Sequence, residues 1–270
     1  MNKGLSGGSI ELIDDDIIRK ISTNSRLYDQ MCKQLHFNKK NLTIKTPEIK
    51  AWQWNESHDK FYFDMEYIPS SSFKEFFVEA SKSELDNFYF CLKQYLNHDV
   101  QIEKQNYTEN TTKKLQSLFE KSEFKDFISY LIDILIDEQV LLPTTFCHGD
   151  LTLSNILFKS GRYYFIDFLD SHIDTYYYDL SKLKQDLYYN WSLKVENVTN
   201  LKVKQCIDYL WKLLYNDYNH IYDCREFQFI DALTLLRIEP YAKEEEVKTI
   251  LHKCIKELKL YEEFIITSSR

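Results

Sequence analysis

Three residues in FCHGDLTLSNILFKSGRYYFIDFLD, residues 146–170, have the types and spacing for metal-assisted chemistry. Asp150 and Asn155 lie five apart on a non-periodic loop between apolar runs, and Asp167 follows twelve residues later. A carboxylate together with an Asn–Asp pair of oxygen ligands suits Mg²⁺, a hard cation. Phosphoryl transfer needs this set: one carboxylate orients the attacking hydroxyl, and two oxygens hold the metal on nucleotide phosphates. Asp167 sits in the apolar stretch YYFIDF, where a carboxylate without a partner would be costly to bury.

The flanking sequence supplies elements to hold these residues. FKSGRYYFIDF reads as a hairpin turning at Ser160–Gly161, with Asp167 on its second arm. Nearer the N-terminus, SIELIDDDIIRKI, residues 9–21, reads as a hairpin around an acidic turn. Residues 24–37 carry Leu27, Met31 and Leu35 at helical spacing, with Asn24 or Ser25 as N-cap. Short strands are predicted at 49–54 and 61–67, and Pro69 with three serines then breaks the chain. Residues 72–97 and 109–142 read mostly as amphipathic helices, and the chain from Leu180 to Leu260 is helical again. The fold class is therefore α+β: a small β-rich lobe followed by a larger, mostly helical lobe with a β insert.

The motif H-G-D-L-x-x-x-N-I-L followed by I-D-F resembles that of the aminoglycoside phosphotransferase and choline kinase family, within the protein-kinase-like fold. The resemblance implies Asp150 as catalytic base, Asn155 and Asp167 as Mg²⁺ ligands, and His148 as support of the loop. It implies a two-lobed unit, with residues 1–68 as nucleotide-binding lobe and 69–270 as the helical lobe with catalytic loop and acceptor site. MEYI, residues 65–68, falls at the hinge of such a fold, so Glu66 C=O and Ile68 N–H would pair with the adenine edge, with Met65 behind it. Asp179 in YYYDLSKL matches a structural aspartate that bonds the catalytic-loop backbone.

The phosphate end is less regular. Gly4, Gly7 and Gly8 fall in KGLSGGSIEL, so Gly7, Gly8 and Ser9 are candidates for a phosphate-covering loop, although no G-x-G-x-x-G is present. A preceding strand would have to be very short or missing. Kinase-like folds place a phosphate lysine on the third strand. Lys20 is the candidate because Ile18 and Lys20 share one strand face, with Arg19 as the alternative. The following helix should supply a Glu partner and has none; Asp29, Gln30 and Cys32 are nearest.

A protein kinase would show H-R-D and a D-F-G leading to A-P-E. Here Gly149 replaces the Arg, Leu169 the final Gly, and A-P-E is missing. A small-molecule acceptor with a hydroxyl is favoured: a sugar, an amino sugar or an amino alcohol. The expected activity is transfer of the γ-phosphoryl of ATP or GTP with Mg²⁺. An inactive nucleotide-binding pseudokinase module and an atypical protein kinase are the alternatives. A net charge of −8 argues against a nucleic-acid footprint, and 44% hydrophobic residues with 16% aromatics argue for a globular chain. No apolar stretch approaches the ~18 residues of a membrane span. Six cysteines without a C-x-x-C pair read as free thiols of a cytoplasmic protein. Oligomeric state is left open.

Overall fold

A computed structural model of the chain describes residues 2–3, 9–40, 42–55, 57, 59–101, 103–169, 173–242 and 244–268. The first strands are β1 (Asn2–Lys3), β2 (Ser9–Asp14) and β3 (Ile17–Ser22), followed by α1 (Arg26–Asn38), β4 (Ile49–Trp54) and β5 (Phe61–Glu66). Helices α2 (Phe73–Glu79) and α3 (Lys82–Leu96) come next. Then follow β6 (Lys104–Asn106), α4 (Thr108–Phe119), α5 (Lys125–Asp137) and β7 (Leu141–Pro143). Strands β8 (Ile156–Lys159) and β9 (Arg162–Phe165) precede α6 (Tyr176–Leu187), α7 (Trp191–Val195), α8 (Leu201–Tyr222), α9 (Arg225–Ile238), α10 (Glu245–Lys256) and α11 (Lys259–Ser268). The α+β class expected from the sequence is therefore present: a small antiparallel sheet and a mostly helical remainder.

The chain packs as two compact units, Met1–Asn97 with His148–Asp170, and His98–Cys147 with Ser171–Arg270. In the first, β1 to β5 form one antiparallel sheet in the order β1-β2-β3-β5-β4. The predicted hairpin turns at Asp15–Asp16, and β1 is only two residues long. Helix α1 lays Leu27 and Met31 on the sheet face made by Ile49, Phe61, Phe63 and Met65. Its N-terminus is closed by Asn24 Oδ1, which accepts from Arg26 N–H at 3.0 Å. Ser81 and Glu84 form a reciprocal capping box, so the apolar run 72–97 is two helices rather than one.

The same unit holds the β8–β9 hairpin. Ser160 and Gly161 both have positive φ, 47° and 74°, which is the two-residue turn that their types favour. Backbone bonds clamp the hairpin on both sides: Lys45 N–H to Tyr163 C=O at 3.0 Å, and Ser71 N–H to Phe158 C=O at 2.9 Å. Phe158, 3% exposed, stacks on Phe76 with centroids 4.4 Å apart and packs edge-on against Phe77 and Phe88.

The second unit is helical apart from β6 and β7, which pair antiparallel. The sequence reading carried a helix through residue 142. Instead α5 stops at Asp137, Glu138 turns extended, and Leu141–Pro143 pair with β6 as strand β7. Among the described residues, no helix is long and apolar enough to cross a membrane.

Phe158 connects the hairpin to α2 and α3. Truncation of a buried Phe to Ala typically removes about 3–5 kcal/mol of stability. Phe158→Ala is expected to lower the urea midpoint accordingly, and a loss below ~1 kcal/mol would show that the hairpin is held by its backbone clamps alone.

Candidate active site

Strand alternation sends Arg19 and Lys20 to opposite faces of the sheet. Arg19 lies opposite Asp64 in the β3–β5 register and pairs with it through two bonds, Nε to Oδ1 at 2.6 Å and Nη2 to Oδ2 at 2.8 Å. Its guanidinium also stacks 4.2 Å from the Tyr62 ring centroid. Lys20 lies opposite Phe63 and points to the other face, where it is 7% exposed and its Nζ pairs with Asp167 Oδ1. Burial pushes the Lys20 ammonium down to about 8. The ion pair joins two residues 147 positions apart in sequence.

Asp167 is presented by an unusual backbone. Its φ is +61°, a left-handed conformation in which Asp is among the better-tolerated non-glycine residues. The residues on either side are anchored: Ile166 N–H donates to Asn155 C=O at 3.1 Å, and Leu169 N–H to His148 C=O at 2.9 Å. Phe168, 1% exposed, packs between the His148 ring, 4.3 Å away by centroids, and Phe37 of α1 at 5.4 Å.

His148 is fully buried and bonded at both nitrogens. Nε2 donates to Ile166 C=O at 2.8 Å, and Nδ1 accepts from Asp150 N–H at 3.2 Å. This pattern requires the neutral ring with its proton on Nε2. Burial pushes the imidazole down to about 3, which keeps it neutral. Gly149 follows with φ +85°, and a Cβ there would stand 2.3 Å from the Leu169 carbonyl oxygen. Only glycine permits that approach.

Asp150 and Asn155 are coupled directly. Asn155 Nδ2 donates to Asp150 C=O at 2.8 Å and to Asp150 Oδ2 at 3.1 Å. With Nδ2 so engaged, the other end of the amide is Oδ1, an oxygen ligand of the kind Mg²⁺ takes. Asp167, 42% exposed at its side chain, already carries one cation, the Lys20 ammonium. The Asn155 amide oxygen and the Asp167 carboxylate are therefore donors of the kind a hard divalent ion takes.

The other candidates are placed as follows. Ser9 begins β2; Gly7 and Gly8 lie outside the described residues. Met65 is 2% exposed in the sheet core, Glu66 ends β5, and Ile68 is 4% exposed just beyond it. Asp179 is fully buried in the first turn of α6, in the helical unit. Neither Asp29 nor Gln30 replaces the missing helix Glu; Asp29 is exposed, and Lys20 pairs with Asp167 instead. Sequence reasoning missed Lys33, whose Nζ donates to Leu169 C=O at 2.8 Å. The signal was its place on α1 one turn before Phe37, on the face that meets Phe168.

Comparisons with known proteins bear on the family and the fold. The family described as "Phosphotransferase enzyme family" matches residues 38–201, more than half of the chain. No curated protein matches. Among solved structures, aminoglycoside 2'-phosphotransferase-IIIa in its GDP complex is 14% identical, with 99% of this chain and 92% of that chain covered and a TM-score of 0.60. A ternary complex of APH(4)-Ia with AMP-PNP and hygromycin B is 8% identical, with 94% of each chain covered and a TM-score of 0.59. A glucosamine kinase is 11% identical, with 90% of this chain and 73% of that chain covered and a TM-score of 0.51. At these identities the likeness is one of fold, the two-lobed kinase-like fold expected from the motif.

The neutral His148 makes stability depend on pH. Its folded pKa lies below the ordinary value near 6.5, so below that pH the unfolded chain binds a proton that the folded chain does not. The stabilisation is complete above ~6.5 and is lost as pH falls toward the folded value. Urea midpoints of the wild type and His148→Gln from pH 7 to 5 test this. About one proton less should be taken up on unfolding of the variant, and equal slopes would show that His148 is not held neutral.

Proposed function

The chain belongs to the phosphotransferase enzyme family, and from that premise we propose that it moves the γ-phosphoryl of ATP or GTP to a hydroxyl of a small molecule, a sugar, an amino sugar or an amino alcohol. The observation that carries this reading is the meeting of Lys20 and Asp167 beside the bonded pair Asp150 and Asn155. In this reading Asp150 orients the acceptor hydroxyl and accepts its proton as the oxygen attacks phosphorus. The neutral His148 and Gly149 hold the Asp150 backbone in place. Lys20 binds phosphate oxygens. Asn155 and Asp167 hold Mg²⁺, which when bound neutralises charge on the phosphates. Glu66 C=O and Ile68 N–H take the adenine edge over Met65, and the loop with Gly7, Gly8 and Ser9 covers the phosphates. Residues 1–68 then act as the nucleotide lobe, and 69–270 bring the catalytic loop and acceptor site. The glucosamine kinase and the aminoglycoside enzymes among the similar structures support an amino sugar as the first acceptor to test.

Two aspartate variants separate the roles. Asp150→Asn keeps the side-chain size and removes most of its basicity, so kcat should fall by ~10²–10⁴ with nucleotide affinity little changed. Asp167→Asn should weaken both metal-dependent nucleotide binding and kcat. A titration with ATP and GTP, with and without Mg²⁺, and initial rates on a panel of sugars, amino sugars and amino alcohols provide the readout. The reverse pattern would exchange base and metal ligand, and binding without any transfer would favour an inactive module.

Lys20→Ala should reduce the rate far more than Arg19→Ala, because Arg19 is spent on Asp64 and Tyr62 on the opposite sheet face. A larger loss at Arg19 would mean that the phosphates lie on that face.

A further inference from the structure

In the helical unit, well apart in sequence from the candidate active site, Glu123, Glu239 and His252 bring their ligand atoms within 4.8 Å of one another. Glu123 lies in the connector between α4 and α5, Glu239 opens the 3₁₀ turn after α9, and His252 is on α10. His252 Nε2 stands 3.7 Å from Glu123 Oε2 and 3.7 Å from Glu239 Oε1. Phe124 packs edge-on against the imidazole with centroids 4.8 Å apart, which fixes the ring plane.

The burial of this group is not matched by its hydrogen bonding. Glu239 is only 3% exposed. Its Oε1 accepts from Glu123 N–H at 3.3 Å, but its Oε2 is buried and has no hydrogen-bond partner among the described residues. His252 Nε2 is buried in the same way and also has none. Other buried carboxylates of this unit are satisfied. Asp231 accepts from Lys184 at 2.5 Å, Ser181 at 3.2 Å and Tyr189 at 3.2 Å, and Asp186 accepts from Ser192 Oγ at 2.7 Å. A buried polar atom with no partner calls for an explanation, and a bound ion is one of the few available.

We propose that Glu123, Glu239 and His252 form a binding site for a divalent transition-metal ion of the zinc class. One imidazole and two carboxylates suit Zn²⁺, Mn²⁺ or Co²⁺ better than Mg²⁺ or Ca²⁺, which prefer all-oxygen sets. Zinc bonds of about 2.0–2.1 Å in a tetrahedron set ligand atoms about 3.3–3.4 Å apart. The two 3.7 Å separations from His252 therefore need to close by a few tenths of an ångström, and the two carboxylates, whose ligand atoms lie within 4.8 Å of each other, by up to about 1.5 Å. Lys248 pairs with Glu123 Oε1 and leaves Oε2 toward the imidazole. Glu123 and His252 line a surface pocket together with Asp126 and Lys256, which leaves room for water as a fourth ligand. The ion would tie together the α4–α5 connector, the turn after α9 and α10, and so stabilise the fold by mass action.

The test uses the full chain, stripped with chelator and free of nucleotide. Zinc chloride should raise the thermal midpoint saturably with one equivalent bound, and Mg²⁺ or Ca²⁺ at the same concentration should not. Glu239→Gln and His252→Asn should lose the effect, and Asp167→Asn should keep it. If the two buried-site variants do not fold, Glu123→Gln, on an exposed side chain, should still weaken zinc binding at least tenfold. Co²⁺ in place of zinc should give a visible ligand-field spectrum without a thiolate charge-transfer band. The proposal is overturned by no zinc effect, by an effect that survives in Glu123→Gln, by one that vanishes in Asp167→Asn, or by a thiolate band showing cysteine ligands.

Discussion

A buried ammonium needs a counter-charge, and the contact of Lys20 with Asp167 organises the rest of the sheet-bearing unit. Lys20 is buried on the sheet, and burial alone pulls its proton affinity down. Its partner has to be delivered from a segment far along the chain. The β8–β9 hairpin does this, clamped by Lys45 and Ser71 and wedged by Phe158 among Phe76, Phe77 and Phe88. Because a strand alternates, committing Lys20 to that face sends Arg19 to the opposite one, where Asp64 and Tyr62 occupy it.

Around the ion pair, the loop is fixed by backbone bonds rather than by many charges. His148 works as a neutral spacer: one nitrogen holds Asp150 N–H, the other holds Ile166 C=O. A charged ring could not accept from Asp150 N–H, so the same burial that keeps the imidazole neutral preserves both bonds. Gly149 lets the turn pass 2.3 Å from where Leu169 C=O would meet a Cβ, so the loop and the segment after Asp167 lie in direct apposition. Lys33 closes the arrangement from α1 by donating to that same carbonyl. The helix thus supports the site through a lysine on a backbone oxygen, where an acidic residue on Lys20 was expected.

Within the helical unit, two buried carboxylates are satisfied differently. Asp231 has a lysine, a serine and a tyrosine around it, and burial beside that charge pushes the Tyr189 hydroxyl upward. Glu239 has a single backbone donor for one oxygen and none for the other. Such an imbalance is tolerated where something else supplies the positive charge.

The sequence by itself determined the local parts: the hairpins around Asp15–Asp16 and Ser160–Gly161, helix α1, and the spacing of Asp150, Asn155 and Asp167. These follow from turn chemistry, side-chain periodicity and motif distances, all of which act over a few residues. Strand alternation also marked Lys20 over Arg19. Tertiary structure decided which partner Lys20 takes, since no local rule connects residues 147 apart. It also decided the end of α5, where pairing of the following segment with β6 outweighed an apolar run, and the role of Lys33, which depends on where Leu169 C=O comes to lie. The meeting of Glu123, Glu239 and His252 was invisible for the same reason: their spacing matches no ligand motif, and only the packing of a connector, a turn and a helix brings the three atoms together.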